Sequence, residues 1–357
     1  MRSTEKAVQI LLAIIAALML LGALHISRPV TMPLAFAFFI AILVHPLQVW
    51  LNRRLPHWLS LVLVLLVILS VLGIGVGAIA LSGEIIEPKL PRYADRLEQL
   101  LQTATTWLQS MGFTVGQGST PSQIQEGFSQ FSSQIWGGIK SILNLLSLLV
   151  LVISLLALLL LEVGEYGDRA RQAFSSRTSD HLIHAVSSTS AALRRYLLVM
   201  AFTSFLTGVL TWLWCFILGV DLAYVWGLVG FVLNFIPTIG SFIAVVPPTL
   251  VAILFQGAGM GFLTLAGLAT LQTILGNFVD PRLQGRYLKL SPFMALLSII
   301  FWGWVWGIPG AFIGVPMTAS IVLFCAEFKP TQPIAIMLGD TDGPAVKSSE
   351  KSKTSVR

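Results

Sequence analysis

Apolar runs of about 20 residues recur along this chain, separated by short polar stretches. Roughly 20 residues is the length of helix that crosses ~30 Å of hydrocarbon. The runs predict membrane helices at 7–26, 29–51, 58–82, 140–161, 196–218 and 261–279. Pro33 is expected to interrupt the second near its start, with Arg53 and Arg54 anchoring its end. Two further runs, 222–255 and 292–326, hold 34 and 35 residues, too long for one span and too rich in proline for a straight one. The expected fold is all-α: a polytopic integral membrane protein with about eight membrane segments, two of them broken hairpins.

The polar stretches divide the chain. Residues 1–82 form a three-span segment, and 83–137 change to polar character. Within the latter, Tyr93, Leu97, Leu100, Leu101, Ala104, Trp107, Leu108 and Met111 recur at helical spacing. Thr120-Pro121-Ser122-Gln123 then reads as a capping box with proline at the first helical position, ahead of an apolar stripe at Ile124, Phe128, Phe131 and Ile135. This predicts an extramembrane helical hairpin lying on the membrane surface or against a partner subunit, a plain connector being the alternative. Residues 138–327 hold the membrane core, including a cytoplasmic helix within 163–195 that continues from Asp180 into the fifth span. The Lys/Ser/Thr/Asp-rich tail 328–357 is expected to be disordered.

The two long runs share a phrase. One copy reads Ile236-Pro-Thr-Ile-Gly-Ser-Phe-Ile-Ala-Val-Val-Pro-Pro-Thr249, the other Ile308-Pro-Gly-Ala-Phe-Ile-Gly-Val-Pro-Met-Thr318. Aligned on Gly240 and Gly310, each gives glycine, a small residue, Phe-Ile, a small residue, Val and then Pro. Proline removes a backbone donor and glycine relaxes the helix, so each copy should break a membrane helix. Broken helices at corresponding positions of two halves point to a transporter's binding site. Proline and glycine are also commoner in membrane helices generally, which is the plainer reading of either copy alone.

Charge then orients the chain. With the N-terminus inside, 17 of the 22 lysines and arginines fall in inside segments and 5 outside, a positive-inside bias that places both termini in the cytoplasm. By the same parity 222–255 starts and ends outside and 292–326 starts and ends inside. Both are then re-entrant hairpins entering from opposite faces, the pattern of an inverted repeat, with a site expected between them. Composition agrees: 55% of residues are apolar and 11% charged, against about 25% charged in a soluble globule. The net charge of +6 comes with no stacking motif, so nucleic acid is not an expected partner. Cys215 and Cys325 lie in apolar stretches and make neither a disulfide framework nor a metal knuckle. The N-terminal run lacks a small-residue cleavage site and is read as a first span.

Chemistry inside the membrane is sparse. No Asp, Glu, Lys or Arg falls at the centre of a predicted span, which removes the usual proton relay. Neutral groups remain: Asn234, Thr238, Ser241, Thr249, Gln272, Thr273, Asn277, Ser298 and Thr318, with carbonyls freed by the prolines. They suit a neutral polar solute or a weakly held cation. Bonding back to the preceding turn is the commoner use of a helical hydroxyl, so Asn234 and Ser241, which flank a break, are the stronger candidates. Pro237, Gly240, Pro309 and Gly310 would shape the pathway. Asp280, Arg282 and Arg286 cap the span between the hairpins as a gate or a cytoplasmic anchor. His181 and His184 lack further metal ligands, and Trp302, Trp304 and Trp306 read as an interfacial belt. There is no GxxxxGK[ST] loop, HExxH or paired buried carboxylate, so neither an ATP-driven pump nor a membrane enzyme is expected, and no cofactor.

The stretches Asn234-Phe-Ile-Pro-Thr-Ile-Gly240, Gly276-Asn-Phe-Val-Asp-Pro-Arg-Leu-Gln-Gly285, Leu288-Lys-Leu-Ser-Pro292 and Gly307-Ile-Pro-Gly-Ala-Phe-Ile-Gly-Val-Pro316 resemble the autoinducer-2 exporter family. The resemblance spans the membrane part and implies a bacterial plasma (inner) membrane permease that assembles as a homo-oligomer. It implies export of autoinducer-2 or a related metabolite, or, as in other members, sodium/proton exchange. Many members carry glutamate where this chain has Leu275, and Tyr and Pro where it has Thr238 and Ser241. The expected function is a secondary exporter of a small polar organic solute; the alternatives are a cation/proton antiporter and a non-transporting membrane scaffold.

Overall fold

An unpaired N–H or C=O in hydrocarbon costs several kcal/mol, and a helix pairs nearly all of them within itself. The computed structural model follows that rule. It describes residues 19–89 and 149–338, apart from 163–164, 166–167, 170, 175, 238, 280–281 and 284–289, with scattered positions between 11 and 16 and between 91 and 110. Helical residues 19–26 lead into α1 (Arg28–Asn52) and α2 (His57–Ile86), which ends in a 3-10 turn at Glu87–Lys89. Then come α3 (Leu149–Glu162), α4 (Ser176–Ile217), α5 (Ala223–Leu233), α6 (Ile239–Gln256) and α7 (Ala258–Ile274). A π-helical turn, Leu275–Val279, extends α7, and α8 (Pro292–Trp306), α9 (Ile308–Glu327) and α10 (Gln332–Leu338) complete the order. Most of the expected 83–137 hairpin, the start of the first and fourth spans, and the tail beyond 338 lie outside the described residues.

Six described helices are long and apolar enough to cross a membrane, accompanied by shorter apolar ones at Leu149–Glu162, Ala223–Leu233 and Phe293–Trp306. Their outer faces leave large apolar side chains in the open, with Phe242 75% exposed and Phe262 68%. Water would drive such surface together, whereas lipid is a solvent for it. The chain is an all-helical, multi-pass membrane protein. One expectation needs correcting: α1 runs unbroken through Pro33 and Pro46. Pro33 is fully buried, and the packing around it carries the helix across one missing hydrogen bond.

The structure divides into two compact units, one of Met1–Leu65, Leu148–Val199 and Gln284–Arg357, the other of Leu66–Ser147 and Met200–Leu283. In the first, α8 and α9 pack as an antiparallel pair with α1 alongside. Trp302, Val305 and Trp306 of α8 meet Ala35 and Phe39 of α1, Leu193 of α4 and Ile313 of α9. Trp302 and Trp306 are therefore core residues and not a belt. They sit four apart on one face of α8, while Trp304, on the opposite face, is 57% exposed and stacks on His25. Trp306 Nε1 donates to Thr31 Oγ1 at 3.1 Å. Gln48, buried, donates to Leu160 O and accepts on its own carbonyl from Ser60, joining α1 to α3 and α2.

In the second unit the end of α4 packs with α5, α6 and α7 around Cys215, Val225, Val245, Ala252 and Leu268. Lipid tails are as apolar as leucine, so helices here associate through close contact, and small residues permit it. A Cβ on Gly227 would come 2.5 Å from Trp212 Cβ, and one on Gly208 would come 2.8 Å from Phe231 Cβ. Gly267 of α7 leaves room for the indole of Trp214. Gly227→Ala should lower stability by about 1–3 kcal/mol through overpacking of the α4–α5 crossing. Gly75→Ala, with nothing within 4 Å of the new carbon, should be neutral or up to ~1 kcal/mol stabilising. Thermal unfolding of the purified variants in one detergent would compare them.

Candidate functional site

The first hairpin is α5, a break at 234–237, and α6. Breaking a helix frees carbonyls and N–H groups, and turn hydrogen bonds recover them here. Asn234 N donates to Gly230 O at 3.1 Å, Ile236 N to Leu233 O at 2.9 Å, Ile239 N to Pro237 O at 2.8 Å and Gly240 N to Ile236 O at 3.0 Å. Gly240 then brings α6 back against the end of α5 so closely that any Cβ there would overlap the Leu233 carbonyl. The break is also held sideways, by Asn234 Nδ2 donating to Ser204 Oγ on α4 at 3.1 Å. Ser204 is fully buried, next to a row of buried threonines spaced by four, Thr203, Thr207 and Thr211.

The second hairpin is α8, a break at Gly307, and α9. Gly307 has φ +73°, which glycine adopts freely and residues with a Cβ rarely do. Pro309 follows in the first turn of α9, where a missing N–H costs nothing. Gly310 repeats what Gly240 does: a Cβ there would overlap the carbonyl of Trp302, a turn before the break. One turn further on, a Cβ at Gly314 would lie 2.9 Å from Ser298 O; the matching residue of the first copy, Ala244, is buried. Trp302 Nε1 donates to Thr318 Oγ1 at 3.0 Å and bridges the two arms. Pro247, Pro248 and Pro316, by contrast, lie inside α6 and α9. The breaks therefore fall at the front of the first phrase and just ahead of the second, and the later prolines ride within continuous helix.

Two helical hairpins with matched glycine contacts fit a transport fold, and relatives of the chain carry the same assignment. The family model described as AI-2E family transporter matches residues 14–329. The chain belongs to the AI-2E transporter family. The AI-2 transport protein TqsA of Escherichia coli is 27% identical over 327 residues, covering 90% of this chain and 92% of TqsA. A candidate transport protein of Haemophilus influenzae is 29% identical over 342 residues, covering 93% and 96%. This AI-2E transporter is thus a membrane transporter along nearly its whole length.

The remaining residues singled out in the sequence of this AI-2E transporter fall as follows. Asn234, Pro237, Gly240 and Ser241 gather at the first break, and Pro309, Gly310 and Thr318 belong to the second hairpin. Gln272 is half-buried on α7. Gly261 lies against Ile253 across the α6–α7 pair. Asn277 is exposed in the π-helical turn, and Arg282 is exposed with its guanidinium 5.9 Å from the Phe278 ring centroid. Thr249, Thr273 and Ser298 bond back to the carbonyls of Val245, Ala269 and Met294. Thr238, Asp280 and Arg286 lie outside the described residues. Ser204 escaped the sequence reading, and Trp302 entered it only as a belt residue. The signal for Ser204 was its place beside Thr203, Thr207 and Thr211, a polar row in an apolar run; nothing local marks Trp302 as the partner of Thr318.

Gly240→Ala and Gly310→Ala should each cost about 2–3 kcal/mol, because the obstacle is backbone carbonyl and cannot rotate away. Gly303→Ala is the control, its new carbon meeting only Ala311 Cβ at 3.6 Å. Unfolding midpoints in detergent, taken with solute flux in vesicles, would separate the first two from the third.

Proposed function

We propose that this AI-2E transporter is a secondary exporter of a small polar organic solute. Autoinducer-2 or a related metabolite is the class suggested by the name of the Escherichia coli relative. The observation carrying the proposal is the chemistry left at two tightly closed breaks. α5, α6, α7, α8 and α9 hold no Asp, Glu, Lys or Arg apart from Glu327 at the end of α9. What they offer are amide, hydroxyl and carbonyl groups: Asn234 and Ser241 at the first break, Gln272 on α7 and Thr318 on α9. Neutral donors and acceptors match a neutral, hydroxyl-rich solute, and a solute that replaces their bonds leaves none of them unpaired. Pro237, Thr238 and Gly240 in the first hairpin, and Pro309 and Gly310 in the second, are the proposed shaping residues. Asp280, Arg282 and Arg286, which follow α7 in sequence, are the proposed gate or cytoplasmic anchor.

On this reading the protein lies in the plasma membrane with both termini in the cytoplasm and works as a homo-oligomer. The absence of a central carboxylate, with Leu275 where an acid would couple protons, favours a solute path over cation/proton exchange.

Reconstituted vesicles loaded with autoinducer-2 test the proposal. Asn234→Leu and Ser241→Leu each remove one neutral hydrogen-bonding group and should slow efflux about two- to tenfold. Wild-type rates in both would remove these residues from the pathway. A pH-sensitive dye in the same vesicles should show no collapse of an imposed gradient when sodium is added; a collapse would establish an antiporter instead.

A further inference from the structure

Polar contacts converge on the two feet of the first hairpin, far from its break. Asp221, just ahead of α5, accepts at Oδ1 from Lys89 Nζ at 2.5 Å and from the backbone N of Leu222 at 3.0 Å. Its carbonyl accepts from Trp226 Nε1 at 2.9 Å. Leu222 stands there at φ +59°, a left-handed conformation that residues with a Cβ adopt rarely, so the Asp221 side chain holds a bend the backbone would not choose. At the other foot, Arg96 Nε donates to Leu254 O at 2.8 Å, and the Arg92 guanidinium lies 5.4 Å from the ring centroid of Phe255. Gln256 Nε2 reaches back to the carbonyls of Leu218 at 3.1 Å and Gly219 at 2.7 Å, tying one foot to the other.

The charges suit the helix ends they meet. An acid beside the N-terminus of α5 and a guanidinium on a carbonyl of the last turn of α6 both oppose the helix dipole. One short stretch, Lys89 to Arg96, therefore spans both feet, although it is about 130 residues before one and 160 before the other.

We propose that Lys89, Arg92 and Arg96 are positioning residues for transport: they strap the feet of the first hairpin and set how fast it completes its part of the transport cycle. This rests on the reading that the hairpin lines the solute path. From Gly240 to Leu254 is 14 residues of helix, about 21 Å at 1.5 Å per residue, so the strap does not touch a solute at the break. Loosening it changes the rate of a conformational step and leaves solute affinity alone.

The test uses the full chain in lipid nanodiscs and in vesicles. Amide hydrogen exchange at 218–223 and 252–257, measured with no solute present, should speed up about fivefold in Lys89→Glu and in Arg96→Leu, the size expected of partly exposed charged contacts. In vesicles the same variants should lose about fivefold in maximal autoinducer-2 efflux with KM unchanged. The conservative variant Lys89→Arg, which keeps a cation on Asp221 and leaves the bond from Leu222 N in place, should hold both readouts near wild type. Unchanged exchange at the feet in both single variants, or a Lys89→Arg no better than Lys89→Glu, would overturn the strap. A raised KM at constant maximal rate would place these residues on the solute path and overturn it as well. If wild type carries no autoinducer-2, the proposed solute falls while the exchange data still decide the strap.

Discussion

Pairing backbone N–H and C=O groups in hydrocarbon is the condition on which the rest of this transporter stands. A continuous helix meets it without help, whereas a broken one does not. Both hairpins meet it in the same way. The chain turns, local hydrogen bonds recover most of the freed groups, and a glycine lets the returning helix lie against the carbonyls of the outgoing one. Gly240 on Leu233 and Gly310 on Trp302 are the same device used twice. Small residues elsewhere serve that closeness too, as Gly208 and Gly227 do where α4 crosses α5.

The same condition explains why the polar chemistry is neutral. A charge at mid-membrane carries a free-energy cost that an amide or hydroxyl avoids by bonding to a nearby carbonyl. Thr207, Thr249 and Ser298 do this within their own helices. Asn234 and Thr318 instead bond between helices, to Ser204 and from Trp302. Groups already engaged across a helix boundary can exchange one partner for another with little net loss. Charged residues are kept to the periphery, where Lys89 meets Asp221 and where Ser188 Oγ donates to Glu327 at the end of α9.

Much of this was legible in the chain itself, because lipid leaves so few backbone options. Apolar run length located the spans that fall within the described residues, and the doubled phrase stands at both breaks, since glycine and proline mark where a helix yields. Pro33 misled because a proline's effect depends on the packing around it, which local sequence does not carry. The tryptophans of α8 misled for a related reason: spacing shows that Trp302 and Trp306 share a face but not whether lipid or α9 covers it. Ser204 and Asp221 were out of reach as partners, since their contacts lie 30 and 132 residues away in the chain. The proline phrase, finally, could not reveal which of its residues bends and which merely travels along.

The two breaks differ in one respect that their shared phrase conceals. The first has a run of turn residues, Asn234 to Pro237, after α5, while the second turns on Gly307 alone. A joint of one residue concentrates its rotation at a single pair of dihedral angles, whereas a longer joint spreads it over several small adjustments. One shared phrase thus accompanies two different joints, and an exchange of the phrases would not leave either hairpin as it was.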